Sequence, residues 1–165
     1  MFRSASNTSL PASAQSEPKD FYVNILPNEV VILNMNILKR YHLLQPILEL
    51  TLLNTKSDHF FSLTSTEDEL SLVTDSSLLK TLRSADKLVE IEDYNALKDS
   101  YRILQFHEGM SGISHTGVVE YLSKLFSKEN IPIIYINTYN NNFILVASSD
   151  FKKCETILKK HNYVC

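Results

Sequence analysis

The sequence predicts an α+β fold: two βαββαβ modules side by side, forming one antiparallel sheet of roughly eight strands with helices on one face. Three observations lead there. The chain echoes itself, because adding 73 to a position in the first half often returns the same residue type. Val31 maps to Leu104, Leu63 to Ile136, Leu70 to Phe143, Val73 to Val146 and Ile91 to Val164, with His42 to His115 and Ser76 to Ser149 among polar positions. A unit of that length is too long for a solenoid repeat and suits a very small domain. The composition is ordinary for a globular chain, at 44% hydrophobic and 21% charged residues. A module of about 70 residues alone would be marginal, so two sharing a core are expected.

Residues 1–20 differ from the rest. They read MFRSASNTSLPASAQSEPKD, with little to bury, and are expected to form a disordered tail. Arg3 precedes any acid, as in a mitochondrial presequence, but one Arg beside Asn7, Thr8 and Pro11 makes a poor basic helix.

The first module is expected over 21–95. Val30–Asn34 is its first strand, preceded by an extra one at Phe21–Leu26. A helix should run from about Pro46, a good first-turn residue, to Leu53. Phe60–Thr64 and Leu70–Thr74 form the central pair, Ser76–Leu82 a short helix and Leu88–Ile91 the closing strand. Asp93–Asp99 connects the copies.

The second module, 96–165, reads more clearly. Tyr101–Phe106 alternates as a strand, and His107–Thr116 is a loop holding Gly109 and Gly112. A helix follows from about Gly117 to Glu129, with Val118, Leu122, Leu125 and Phe126 on one face. Pro132–Asn137 is a β-branched and aromatic strand, 139–142 a turn, and Phe143–Ala147 its antiparallel return. Asp150 should cap a last helix burying Phe151, Cys154, Ile157 and Leu158, and Tyr163-Val164 should close the sheet. The order is the ferredoxin-like arrangement.

The same features exclude several functions. A net charge of −3, with no run of five basic residues, argues against nucleic acid. No apolar stretch approaches the roughly 18 to 20 residues that span a bilayer. Cys154 and Cys165 form no CxxC and have no ligating His nearby, so neither metal nor disulfide is expected. Free thiols imply a reducing, cytoplasmic setting. His107 and Glu108 have no nucleophile at a diagnostic spacing, and Ser111 lacks a hydrolase elbow, so no enzyme and no cofactor are expected.

The loop from Gly109 to Thr116 is the strongest binding candidate. Its glycines allow close approach of backbone to ligand, and it leads into a helix start whose N–H groups suit a carboxylate. It also reads as a plain connection using glycine for turn geometry. Asn140, Asn141 and Asn142 either present amides to a ligand or supply positive φ in a hairpin turn. Cys154 reads as core.

A βαββαβ module with a glycine-bearing first loop resembles the ACT domain, a family that senses small ligands, chiefly amino acids, between paired modules. Phe60-Phe61-Ser62-Leu63-Thr64, Asn137-Thr138-Tyr139 before Phe143-Ile144-Leu145-Val146, and the helix opening Gly117-Val118-Val119 are similar to the cytosolic arginine sensors of the CASTOR family. That resemblance implies a ligand site from Gly112, Ile113, Ser114, His115, Thr116, Gly117 and Val118, with Ile133, Thr138, Tyr139 and Asn142. It also implies a protein partner in target-of-rapamycin signalling. Those sensors hold four modules and this chain two, so a homodimer or another protein is expected to complete the pocket. His115 and Asn142 stand where the sensors carry acids. A guanidinium wants carboxylates, so a neutral amino acid, or no ligand, fits better than arginine. Two rival expectations are a ligand-free dimerisation scaffold and a detached regulatory subunit of a biosynthetic enzyme.

Overall fold

The computed structural model describes residues 21–36, 48, 59–79, 95–96, 99–108 and 117–163. In chain order the elements are β1 (Phe21–Asn36), β2 (Phe61–Ser65), β3 (Glu69–Asp75), β4 (Asn95–Ala96), β5 (Tyr101–Glu108), α1 (Val118–Ser127), β6 (Ile133–Asn137), β7 (Asn142–Ala147) and α2 (Phe151–Lys160). A helical turn also stands at 76–79. The helix expected from Pro46 lies outside the described residues apart from exposed Leu48, as does the strand expected at Leu88–Ile91.

Among the described residues the sheet has seven strands, ordered β2-β3-β1-β5-β7-β6, with β4 also on β1. All pairings are antiparallel. The stretch read as two separate strands is one, because Pro27 bends the chain without breaking it. Ile25 faces Leu104 and Glu29 faces Arg102, so β1 takes four steps where β5 takes two. Pro27 has no N–H to give a ladder, which makes a bulge its natural place. The segment read as a connection contributes β4, whose Ala96 and Asn95 pair with Leu33 and Asn34.

β1 is therefore common to both halves of the sheet. Its first part pairs with β5 and its last part with β3, and Val30 faces Tyr101 on one edge and Asp75 on the other. The residue stretch after α2 reaches β1 too, where the Val23 N–H donates to the Tyr163 carbonyl at 2.7 Å.

Two cores follow from the two faces. On one, α1 and α2 cover Val23, Leu104, Phe106, Ile144 and Val146. Val118, Leu122 and Phe126 recur every four residues, so they share a face of α1, and all three are buried. Burying each such side chain contributes roughly 1.5–3 kcal/mol. The exposed Glu120–Lys124 and Glu155–Lys159 pairs, both at 2.7 Å, add only a few tenths each, so burial decides where the helices lie.

The opposite face holds Val30, Val73, Ile103, Phe143 and Leu145, flanked by Phe60, Tyr101 and Ile136. The sheet curls over this core. Phe60, just before β2, meets Phe143 of β7 edge-to-face with ring centroids 5.1 Å apart. Four strand spacings separate β2 from β7, roughly 19 Å in a flat sheet, so only a curled one allows the contact. The bulge in β1 increases local twist at the strand about which the sheet turns.

Candidate functional site

The two hairpins turn by the same device. The Thr66 N–H donates to the Glu69 carbonyl at 2.9 Å while Thr66 Oγ1 accepts from the Glu69 N–H at 3.1 Å. The Thr138 N–H and Oγ1 do the same with Asn141, at 2.9 and 3.1 Å. The expected binding amides serve this turn and its neighbours. Asn141 Oδ1 accepts from Gln105 Nε2 at 2.8 Å, and Asn142 Oδ1 accepts from the Tyr135 hydroxyl at 2.8 Å. None of the three turn asparagines has positive φ, which among described non-glycine residues occurs at Asn130 and Asn162.

Gly112, Ile113, Ser114, His115 and Thr116 lie outside the described residues. Gly117 adopts φ +123°, a conformation that suits glycine, with nothing within 4 Å of where a Cβ would stand. Val118 is buried and Ile133 packs against the same helix-covered core. Thr138 and Tyr139 are exposed at the hairpin tip, Tyr139 completely. The Asn142 side of the hairpin lies opposite Phe106, towards the end of β5 that leads into the glycine loop.

A second place, not anticipated from the sequence, lies at the other end of β5 and β7, where Tyr101 faces Ala147. With five residue steps of strand from Tyr101 to Phe106, the two ends are roughly 17 Å apart. Here the bulge of β1 opens a cleft of 530 Å³ lined by Pro27, Asn28, Glu29, His59, Asp75 and the Ser76-Ser77 turn. Small-molecule sites of about 300–1,000 Å³ are usual.

Asp75 organises this cleft. Although only 3% exposed, its carboxylate accepts three hydrogen bonds. Asn28 Nδ2 donates to Oδ1 at 2.9 Å, while the Phe60 N–H and His59 Nδ1 reach Oδ2 at 2.8 and 3.0 Å. A buried carboxylate needs such donors. The adjacent Glu29 is held from the other half of the sheet. Its Oε1 accepts from the Ser148 hydroxyl at 3.1 Å and from that of Ser100. Consecutive residues of one bulge are thus tied to the ends of two hairpins, Asn28 to β3 and Glu29 to the residue after β7.

The sequence carried a faint signal for this cleft. An acid closing a strand-like run and standing before Ser-Ser, as Asp75 does after Leu72-Val73-Thr74, marks a strand-to-helix junction. Nothing local indicates that Asn28, 47 positions away, would meet it. Elsewhere, Arg102 caps the bulge with a long 3.4 Å bond from Nη2 to the Leu26 carbonyl and lies 4.6 Å above the Phe151 ring. Cys154 is buried, and burial, with neighbouring Glu155, pushes its thiol from 9.0 up to about 12. Among the described residues no group of three or more His, Cys, Asp or Glu could hold a metal ion, and no helix is long and apolar enough to cross a membrane.

Residues 96–160 match the ACT domain. Among curated proteins nothing matches the chain. Several solved structures share its fold. A protein of Agobacterium tumefaciens is 20% identical, with a TM-score of 0.60 over 88% of this chain and 92% of its own. A putative C-terminal regulatory domain of aspartate kinase from Porphyromonas gingivalis is 16% identical, with a TM-score of 0.52 over 85% and 95%. The ligand-free regulatory subunit of aspartate kinase from Thermus thermophilus is 10% identical, with a TM-score of 0.53 over 84% and 95%. At such identities the likeness establishes the fold alone.

Proposed function

We propose that the chain is a non-enzymatic regulatory protein that binds a small molecule, an amino acid in the simplest case, where its two modules meet. One observation carries this reading. The cleft beside Asp75 is built on a strand that both halves share, so a ligand there touches the end of the first hairpin and also Glu29, which accepts from the Ser148 hydroxyl just after the second. Such a ligand favours whichever arrangement of the halves it binds better, and by linkage alters affinity for any partner that distinguishes those arrangements. The ACT match and the regulatory roles of the Porphyromonas and Thermus proteins support the same class of function.

The finer reading follows the resemblance to the arginine sensors. It makes the protein a cytoplasmic tandem-repeat sensor in target-of-rapamycin signalling, completed by a homodimer or a protein partner. A second ligand seat would then lie in the Gly112–Val118 loop beside the Thr138–Asn142 hairpin. The separate regulatory subunit of the Thermus kinase favours one alternative, a detached regulatory subunit, which would co-purify with its enzyme.

The test is calorimetric titration of the full chain, at a measured oligomeric state, against each of the twenty amino acids, paired with thermal-shift measurements. Heat and a raised Tm with at least one of them are expected. Silence from all twenty in both measurements would refute the sensing role. Gly112→Val then separates the seats, because it should weaken only a ligand held by the loop.

A further inference from the structure

We infer that the outer edge of β2 is a docking site for an extended strand of another protein, one that carries basic residues at its N-terminal flank. The ladder to β3 fixes which main-chain groups are on offer. The Thr66 N–H donates to the Glu69 carbonyl, and antiparallel bonding alternates from that pair along an unbroken register. Ser62 and Thr64 therefore turn their N–H and C=O groups towards β3, while Phe61, Leu63 and Ser65 turn theirs outward. β2 ends the strand order, so these outward groups meet no strand among the described residues. From Leu63 to Thr66 the edge is exposed.

Sheet edges are ordinarily guarded by Lys, Pro, a bulge or a covering element. The stretch from Phe60 to Thr66 reads FFSLTST, with no charge, Pro or Gly. Leu63, at the middle of the edge and 37% exposed, offers an apolar contact to whatever residue pairs with it. An added strand would bond one donor and one acceptor at each of Phe61, Leu63 and Ser65, the main-chain recognition of β-augmentation.

Charge selects the occupant. Glu67, Asp68 and Glu69 follow β2 at the hairpin tip, all exposed and in no ion pair among the described residues. Every pairing in this sheet is antiparallel, and a strand added in that sense brings its N-terminal flank to the tip. Lys or Arg there meets opposite charge, and Asp or Glu meets like charge. A second copy of this chain fits less well. The residues that precede its Phe60 are Ser57-Asp58-His59, an acid with no Lys or Arg. None of this depends on the cleft beside Asp75 holding a ligand.

Hydrogen exchange of the full chain, read residue by residue by NMR, tests the inference with three end-capped peptides. The first is Lys-Lys-Val-Thr-Val-Thr-Val, and the second has Glu-Glu in place of Lys-Lys. The third is the lysine peptide N-methylated at its valines, which removes the donors that would face β2. In the free chain the Ser62 and Thr64 amides should be protected and those of Phe61, Leu63 and Ser65 open. At about 1 mM the lysine peptide should slow exchange at those three amides by about twofold or more, as a Kd of that order or tighter requires. The glutamate peptide should bind about tenfold more weakly, and the methylated one should give no protection.

Two variants place the site. Leu63→Pro removes an outward donor without touching the ladder to β3, and should abolish the protection at Phe61 and Ser65. Glu67→Lys combined with Asp68→Lys changes only exposed positions, so Tm should hold while the glutamate peptide becomes the tighter of the two. Equal affinity of the two charged peptides, binding that leaves the three amides unprotected, or no binding of the lysine peptide at about 1 mM overturns the inference. So does protection of the three amides in the free chain that grows with protein concentration, because a second copy then holds the edge.

Discussion

At the scale of single residues, Asp75 has the largest consequence. Replacing it with Ala would leave an amide, a backbone N–H and an imidazole N–H without their acceptor, all near a buried position. Each orphaned donor costs about 1–3 kcal/mol where water cannot reach, and partial access here limits the total, so we expect a loss of about 2–4 kcal/mol in urea unfolding. A loss below about 1 kcal/mol would mean that the network contributes little. Cys154 makes the opposite kind of prediction. Its thiol, pushed up to about 12, stays protonated at neutral pH and has no exposed surface. In a Cys165→Ser background it should react with a thiol reagent only as fast as the protein unfolds. The raised folded value has a sign for stability as well. Between pH 9 and about 12 the unfolded thiol ionises and the folded one does not. This group's contribution is thus intact below pH 9 and is lost as pH rises through that window. A Cys154→Ala variant should show a shallower loss of stability over the same range.

At the scale of elements, both helices end identically. After α1 the Asn130 N–H donates to the Ser127 carbonyl and the Ile131 N–H to that of Phe126; after α2, Asn162 and Tyr163 repeat this with Lys159 and Leu158. Asn130 and Asn162 hold φ of 55° and 57°, the left-handed residue of a Schellman stop. The apolar residues at these stops, Phe126 and Ile131 after α1 and Leu158 and Tyr163 after α2, are all buried in the helix-covered core. Asn tolerates this conformation and Ala does not, so Asn130→Ala and Asn162→Ala should each lower stability by about 1 kcal/mol, while Gly at either place should be neutral or better. Chemical denaturation of the four variants checks this. Asparagine's affinity for positive φ was legible in the sequence, but its location was not. The run of three at 140–142 lacks positive φ, and Thr138 shapes that turn instead.

The hairpins show how far the internal echo reaches. Their turns correspond at Thr66 and Thr138, a step of 72 and not 73, and Phe61↔Thr74 corresponds to Ile133↔Val146 at the same step. One residue matters because side chains alternate between faces. The sequence match of Val73 with Val146 pairs residues from opposite cores, whereas Val73 and Leu145 share one. Apolar runs in both hairpins are buried on both faces, so a one-residue slip leaves the hydrophobic pattern nearly unchanged and the sequence alone could not detect it.

At the scale of the whole molecule, the curl of the sheet brings Phe60 against Phe143 across four strand spacings, so their contributions to stability are coupled. A double-mutant cycle with Phe60→Leu and Phe143→Leu should give an interaction of about 0.5–1.5 kcal/mol, the range for aromatic pairs beyond area burial. Strict additivity would indicate a flatter sheet. His59 and Phe60 reach Asp75 through the β2–β3 register itself, since Phe61 faces Thr74, and the bulge of β1 adds Asn28.

What the sequence by itself determined is local: strands from alternation, helices from apolar residues on one face, a hairpin turn from its asparagines, and the α+β class from their order. The predicted bounds of β2, β3, β5, β6 and β7 agree with the observed ones to within two residues. Those features depend on neighbours a few positions away, and periodicity records them. The tertiary structure decided that β1 serves both halves, that a bulge at Pro27 turns the sheet upon itself, and that Asn28 and Glu29 meet Asp75 and Ser148. The last two are side-chain contacts across 47 and 119 positions. Closing such distances is a collective choice of the whole chain, set by which apolar faces are buried together, and no single segment encodes it.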